Sequence, residues 1–448
     1  MKLLIRMGLV AALVAPLVAP LAAGQAAKAQ TAESLAVGNF VDFSDRRSLA
    51  GKAYGQARID AVEYINRNGG INGKTINLLT VDYGAEVARA KAAYAKWKAE
   101  HAAVAVLGWV DGDAEALVET VAADRTPYFA ASYAAALTDP LGKGAKTAQP
   151  APYSFFYGPS SSDALRALVQ WAAADWAAKA RSTKEGAAED GAAKDGGRAP
   201  RYLHMGDPLA GPGSPHRAGE AHARELGFVV LPAIAYPQEP GDFRSQCRTL
   251  AESGADYAFL ANGAGANVAL LKACAEFGIE TQFLANVWGY DETVMQAAGE
   301  AADGVVWVMG ASAWGEPVAG MALVREVSRM SDPNLKRHRT VHYLRGVCSV
   351  FLMKEAMEAA DRDGGVTGPK IKAAMYGKPD WVPRGLDGVC LPATWSAEDH
   401  RGVVDVPIYR GRTKTVEGDL EARVAAGVIS MERLTVVKIP RKADWLGW

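Results

Sequence analysis

Neither sign of charge prevails in this chain, where 49 Lys and Arg residues face 50 Asp and Glu. The cationic footprint that nucleic acid or an anionic membrane surface demands is missing, which excludes both partner classes. Beyond the first two dozen residues no uncharged apolar run reaches the roughly 18 residues a membrane helix needs. No Gly-x-Ser-x-Gly elbow places a serine for acyl transfer, and no Walker-type Gly-x-x-x-x-Gly-Lys-Ser/Thr loop is there to cradle phosphates. Gly263-Ala264-Gly265 follows a strand pattern, but Val268 stands where a dinucleotide loop needs its third glycine. His338 and His342 share a helix face, yet no Glu lies between them and Lys336, Arg337 and Arg339 flank them, the pattern of a solvated cationic face. The residues around His216 and His222 do not make a convincing metal-ligand pattern. No metal, cofactor or catalytic set is expected.

What is present begins with an export pattern. Lys2 and Arg6 precede an apolar run from Met7 to Ala23, and Ala27-Lys28-Ala29 supplies a small-x-small cleavage site, so residues 1–29 read as a signal peptide and the mature chain starts near Gln30. No cysteine lies there to be lipidated, and a Gram-negative periplasm fits best. The only four cysteines, Cys247, Cys274, Cys348 and Cys390, then sit in an oxidising compartment that favours pairing, with three connectivities open. Cys247 and Cys274 fall on helical segments flanking the strand at Asp256 to Asn262. In an α-β-α unit such helices lie side by side on one sheet face, which favours Cys247–Cys274 with Cys348–Cys390.

The mature length of about 420 residues, at roughly 100–200 per domain, suits two lobes. From Leu35 onward short apolar runs alternate with longer helical patterns, the rhythm of βαβ units and a parallel sheet. Strands are expected at Leu35 to Phe40, Thr75 to Asp82, Ala103 to Gly108 and Tyr128 to Ala131, with helices at Lys52 to Asn66, Glu86 to Glu100 and Asp113 to Ala123. An aromatic strand near Tyr153 to Tyr157 marks a first crossing between lobes. A second series of the same build follows, with strands at Arg201 to Met205, Phe228 to Ala235, Asp256 to Ala261 and Gln282 to Ala285. Valine-rich Gly304 to Met309 reads as a strand returning to the first lobe, Thr340 to Asp361 as a helix packed there, and Val403 to Tyr409 as a third crossing. The expected organisation is 30–154 plus 306–403 for lobe 1 and 155–305 plus 404–448 for lobe 2. Arg181 to Pro200, rich in Ala, Gly, Lys, Glu and Asp without apolar periodicity, reads as a solvated low-complexity insertion.

Ala53 to Gly73, Asp82 to Ala90, Thr126 to Pro140, Asp242 to Leu260 and the run from Ala266 through Asn286 give the chain a resemblance to a known family. It resembles the type I periplasmic binding proteins of the branched-chain amino acid (Leu/Ile/Val-binding) ABC transporter family, over nearly the whole mature length and in order. The resemblance implies an α/β protein of two doubly wound, Rossmann-like lobes joined by three hinge strands. Such a protein is monomeric, holds a small solute in the cleft by hinge closure, presents it to an ABC permease in the inner membrane and does no chemistry. A periplasmic sensor feeding a signalling receptor, or a secreted enzyme using the cleft, are the alternatives. The ligand is left open among amino acids, amides and aromatic or apolar metabolites.

In open parallel sheets ligands sit outside the carboxyl ends of the strands. Lobe 1 candidates are therefore Phe43 and Ser44, then Trp109 and Asp111, and then Ser132 and Tyr133, the last pair in a loop that donates hydrogen bonds to ligand in the family. Asp113 reads as a helix cap rather than a contact. Lobe 2 offers Tyr157 and Ser160 at the first crossing, then Asp207, Asn262 and Trp288 at strand ends, while Asp291 and Trp314, in the stretch leading back to lobe 1, suit a rim or hinge role as well as contact. Amino-acid binders resembling this chain carry small hydroxyl residues where Trp109 stands, a departure that weakens an α-carboxylate assignment. Trp109, Tyr133, Tyr157 and Trp288 together predict an aromatic wall suited to a flat or largely apolar guest, or to a cation over its ring faces.

Overall fold

Strands covered by helices on both faces need no polar alternation, and the apolar runs of this chain become buried parallel strands for that reason. The computed structural model describes residues 33–44, 49–190, 198–207, 215–415 and 417–448; the expected signal peptide lies outside them. The first sheet holds β1 (Ser34–Val41), β2 (Thr75–Asp82), β3 (Ala105–Leu107), β4 (Tyr128–Ala130) and β5 (Ser154–Phe156), all parallel in the order β2-β1-β3-β4-β5. Helices α1 (Leu49–Arg67), α2 (Val87–His101) and α3 (Asp111–Ala123) connect them.

The second sheet contains β6 (Arg201–Gly206), β7 (Val229–Val230), β8 (Ile234–Ala235), β9 (Tyr257–Leu260), β10 (Gln282–Ala285), β11 (Val306–Val308), β12 (Asp405–Arg412) and β13 (Ser430–Lys438). Its order is β13-β12-β11-β10-β9-β6-β7, with β8 also on β6 and with β12 and β13 antiparallel. Around it lie α4 (Ser161–Asp190), α5 (His216–Glu225), α6 (Arg244–Ser253), α7 (Ala264–Ala275) and α8 (Glu292–Ala298). Next, α9 (Met321–Ser328) and α10 (Val341–Arg362) pack on α1, and α11 (Gly368–Met375) packs on α10, so this stretch belongs to the first lobe. A last helix, α12 (Leu420–Ala425), lies against α8. The chain thus passes between lobes after β5, after β11 and before β12. No described helix is long and apolar enough to cross a membrane.

Four readings of the sequence change. Val306–Val308 does not return to the first sheet: it pairs with β10 and β12, buried on both faces of the second, and the chain crosses only at the following Gly310. β5 pairs with β4, so a boundary between 154 and 155 cuts a strand of the first sheet. Phe228 to Ala235 splits into two short strands around Pro232, which has no N–H for the ladder. Arg181–Asp190 continues α4 as helix, in keeping with the high intrinsic helix propensity of an Ala, Lys and Glu run; residues 191–197 lie outside the described set.

Two disulfides form, Cys247–Cys274 between the neighbouring helices α6 and α7, and Cys348–Cys390 between α10 and the segment ahead of the third crossing. Beneath that crossing His400 is buried. Its Nδ1–H donates to Ser154 O at 2.8 Å, its Nε2 accepts from the Tyr376 hydroxyl at 2.7 Å, and its ring stacks on Phe155. Both nitrogens being engaged in the neutral tautomer, burial brings the imidazole down to about 4. The C-terminal residues pack back across the molecule: Arg166 of α4 lies over Trp445 at 4.3 Å and donates to Trp448 O at 2.8 Å, while Gly447 N–H reaches Thr138 Oγ1 of the first lobe at 2.9 Å.

Two outcomes are expected. The disulfides span 27 and 42 residues, so loop closure stabilises by about 3.5–4 kcal/mol each. Calorimetry should show a melting temperature several degrees lower for Cys348→Ser/Cys390→Ser, with reductant lowering the wild type alike. Because the folded His400 resists protonation, the unfolded chain takes up more protons between pH 6.5 and about 4. Stability should therefore fall as pH drops through this window, with His400 contributing a slope of about 1.4 kcal/mol per pH unit. His400→Gln, less stable at pH 7, should show a flatter profile by denaturant titration.

Candidate functional site

The cleft is built first by the loop after β3. At Gly108 a Cβ would run into the Tyr128 ring, so only glycine lets that ring pass beneath the loop. The Tyr128 and Tyr83 hydroxyls both donate to the buried Asp113 carboxylate, which also accepts the N–H groups of Trp109 (3.0 Å) and Val110 (2.7 Å). From α1, Arg58 donates to Phe40 O at 3.2 Å and Gly108 O at 2.5 Å, tying the ends of β1 and β3 together. The result is a fixed loop that carries Trp109 toward the second lobe, buried, on the Tyr54 ring at 5.5 Å.

The opposing wall comes from the loop after β10. Asn286 Oδ1 accepts the N–H groups of Trp288 (3.0 Å) and Gly289 (3.2 Å), a local turn that projects the indole. The Trp288 ring meets Trp109 edge-on at 5.6 Å and Tyr133 at 5.9 Å. Tyr133 is held from behind by the first crossing, where Gly158 has φ +132° and any Cβ would strike the tyrosine ring.

Between these walls stands Arg345 of α10. Its guanidinium lies 4.4 Å over Trp288 and 4.6 Å over Tyr133, with Nε donating to Tyr133 Oη at 2.8 Å. Nη1 is 2.8 Å from His342 Nδ1. Guanidinium can only donate, so Nδ1 accepts and the imidazole proton sits on Nε2, 3.3 Å from Asp291 Oδ2. Burial holds the His342 imidazole below its ordinary value. Burial also pushes the Asp291 carboxyl up, but hydrogen bonds from His342, Thr293 and the Val294 N–H outweigh it and leave the group below the usual carboxylate range. Asp291 caps α8 through the N–H groups of Thr293 and Val294, and the adjoining Glu292 accepts from Val341 N–H at the start of α10. The two lobes thus meet through rings and through the chain Arg345–His342–Asp291.

Of the residues expected at the site, Trp109, Tyr133 and Trp288 come together. Asp111 and Ser132 pair with each other, the serine hydroxyl donating to the carboxylate. Phe43 packs against Gly55, and Ser44 donates to Asp82 at 3.0 Å beside the edge strand β2. Asp207 stands half-buried at the end of β6 with its N–H on Asn262. Tyr157, Ser160 and Asn262 spend their polar groups on the backbone instead. Tyr157 Oη accepts Leu391 N–H at 2.5 Å, and Ser160 Oγ caps α4 through Asp163 N–H at 3.0 Å. Asn262 accepts Asp207 N–H and donates to Tyr236 O and Pro237 O. Buried loop ends leave N–H and C=O groups that side chains must satisfy, which accounts for all three.

His338 and His342 are not a solvated face: their side chains are 3% and 1% exposed and turn toward Glu292 and Asp291. Among the described residues no group of three His, Cys, Asp or Glu could hold a metal. Arg345 and Tyr54 escaped the sequence reading, and His342 entered it only as part of a solvated face, because they sit within helices rather than at strand ends. The available signal was a charged residue in the otherwise apolar run Val341 to Met353.

Residues 34–415 match the periplasmic binding protein family. No curated protein matches the sequence. Among solved structures, an ABC transporter substrate-binding protein from Aeropyrum pernix is 21% identical with a TM-score of 0.71 over 93% of this chain and 98% of its own. A branched-chain amino acid ABC transporter protein from Thermus thermophilus, solved with bound valine, is 18% identical with a TM-score of 0.73, covering 88% and 100%. An ABC transporter solute-binding protein from Rhodopseudomonas palustris in complex with 3,4-dihydroxybenzoic acid is 16% identical, with a TM-score of 0.66 over 90% and 97%. At these identities the likeness is one of fold.

Asp113→Ala should cost about 3–5 kcal/mol, because it strands three buried donors and one partly buried one at once. Equilibrium denaturation measures this, and a loss under 1 kcal/mol would contradict the role given to that carboxylate.

Proposed function

Because this chain belongs to the periplasmic binding protein family, we propose that it captures a small organic solute between its lobes in the periplasm and delivers it, chemically unchanged, to an ABC permease of the inner membrane. The observation that carries this reading is the contact of Trp109 with Trp288, two strand-end residues from different lobes, at 5.6 Å. Loops at the carboxyl ends of both sheets face one another, and a guest there touches both lobes only when they are closed. Ligand binding therefore favours the closed form by its differential affinity, and that form is what a permease distinguishes. The aromatic lining supports a guest with a flat or apolar body, as does the likeness to a protein solved with 3,4-dihydroxybenzoic acid.

Incubation of the purified protein with a metabolite extract, followed by mass spectrometry of the eluted solute, tests the reading. The solute should be recovered intact, should shrink the radius of gyration in small-angle scattering, and at 100 times its Kd should stabilise the fold by about 2.7 kcal/mol. Recovery of a chemically altered solute, or binding without compaction, would contradict it.

A further inference from the structure

Arg58, Arg166, Arg345 and Arg401 are among the largest fully buried side chains. Three of them are provided for. Arg166 pairs with Asp163 at 2.8 Å and Arg401 with Asp399 at 2.6 Å, while Arg58, whose Nε has no partner, spends both terminal nitrogens on oxygens, mostly backbone carbonyls. Arg345 is not. Its Nη2 has no hydrogen-bond partner, and among the described residues no carboxylate pairs with it, Asp291 being reached only through His342. An arginine in a protein stays protonated, and a buried cation without a counter-ion is strongly disfavoured. The faces of Trp288, Tyr133 and Tyr54 offset part of that cost.

Two more buried groups in the same cluster are unspent, Trp109 Nε1–H and the Tyr54 hydroxyl. The Tyr54 ring links them, 5.5 Å from Trp109 and 5.7 Å from the Arg345 guanidinium. All three unspent groups can donate, so the cluster calls for an acceptor, and the cation among them calls for a negative one. We infer that Arg345 anchors an anionic headgroup, and that the cleft takes a small organic carboxylate whose flat apolar body lies against Trp109 and Trp288. This rests on the interlobe cleft being the ligand site. The planar guanidinium matches a carboxylate in shape and charge. An α-ammonium beside that carboxylate would face the guanidinium, and the neighbouring Asp291 is already committed to His342 and to α8. The preferred acid therefore lacks an adjacent amino group.

Calorimetric titration and thermal melting test this on wild type, Arg345→Met, Arg345→Lys and Trp288→Ala. The probes are benzoate, 4-hydroxybenzoate, phenylacetate and hexanoate against benzamide, benzyl alcohol and leucine. At least one acid should bind wild type 100-fold or more tightly than its neutral counterpart and than leucine. Arg345→Met should lose that binding by 100-fold or more, yet melt no lower than wild type without ligand, because an uncompensated charge has gone. Arg345→Lys should keep the preference for acids at reduced affinity. Equal binding of acid and amide, no response to any acid, or loss of the acid preference in Arg345→Lys would overturn the proposal. Acid binding that survives Arg345→Met but not Trp288→Ala overturns the anchor and leaves the cleft standing. Binding that survives both variants removes the ligand from the cleft altogether.

Discussion

A single buried carboxylate sets the geometry on which this cleft depends. Asp113 gathers two tyrosine hydroxyls and two backbone N–H groups from three separate parts of the first lobe, and in doing so fixes the loop after β3. A carboxylate can accept four hydrogen bonds, and here all four are taken, three of them by donors on buried residues, Tyr83, Trp109 and Tyr128. Burial raises the Tyr83 and Tyr128 hydroxyls far above their ordinary range, which keeps them as donors at any pH the protein meets. With the loop fixed, Trp109 has one place to go. The aromatic contact between the lobes follows from that placement.

The second lobe answers with groups that are polar but equally confined. Asp291 orders α8, orients His342 and, through it, steadies Arg345, so one carboxylate on the second lobe influences the charge at the centre of the cleft. Rotation of the lobes would break this chain and the Glu292 cap on α10 together. The interface therefore combines ring contacts, which tolerate sliding, with hydrogen bonds that fix one arrangement.

Much of this was legible in the sequence because burial on both sheet faces writes a simple pattern. Thr75–Asp82 and Gln282–Ala285 are strands where the apolar runs put them, and the cysteine pairs follow from helices flanking one strand. Trp109 and Trp288 stood out as large rings just beyond strand ends. Sheet membership was harder: nothing in the valines at 306–308 distinguishes a core strand of one lobe from that of the other, since pairing is decided by partners far away in sequence. Arg345 and His342 were hidden differently. On a helix buried nearly all round, periodicity reports depth but not which neighbour a polar side chain faces, and α10 touches the cleft only near its start. Ser160 and Asn262 were expected at the ligand because they stand at strand and helix ends, yet such an end has backbone groups of its own to satisfy, and these took the side chains first.

The C-terminal residues introduce a mechanical asymmetry. By bonding to Arg166 on one lobe and to Thr138 on the other, Gly447 and Trp448 act in parallel with the three connecting segments, as a non-covalent strut. A strut of this kind stores no energy while the jaws are shut and must slip or detach before they part. Swinging apart is then stiffer at this edge than at the far one, and the motion becomes a skewed peel in place of a symmetric hinge.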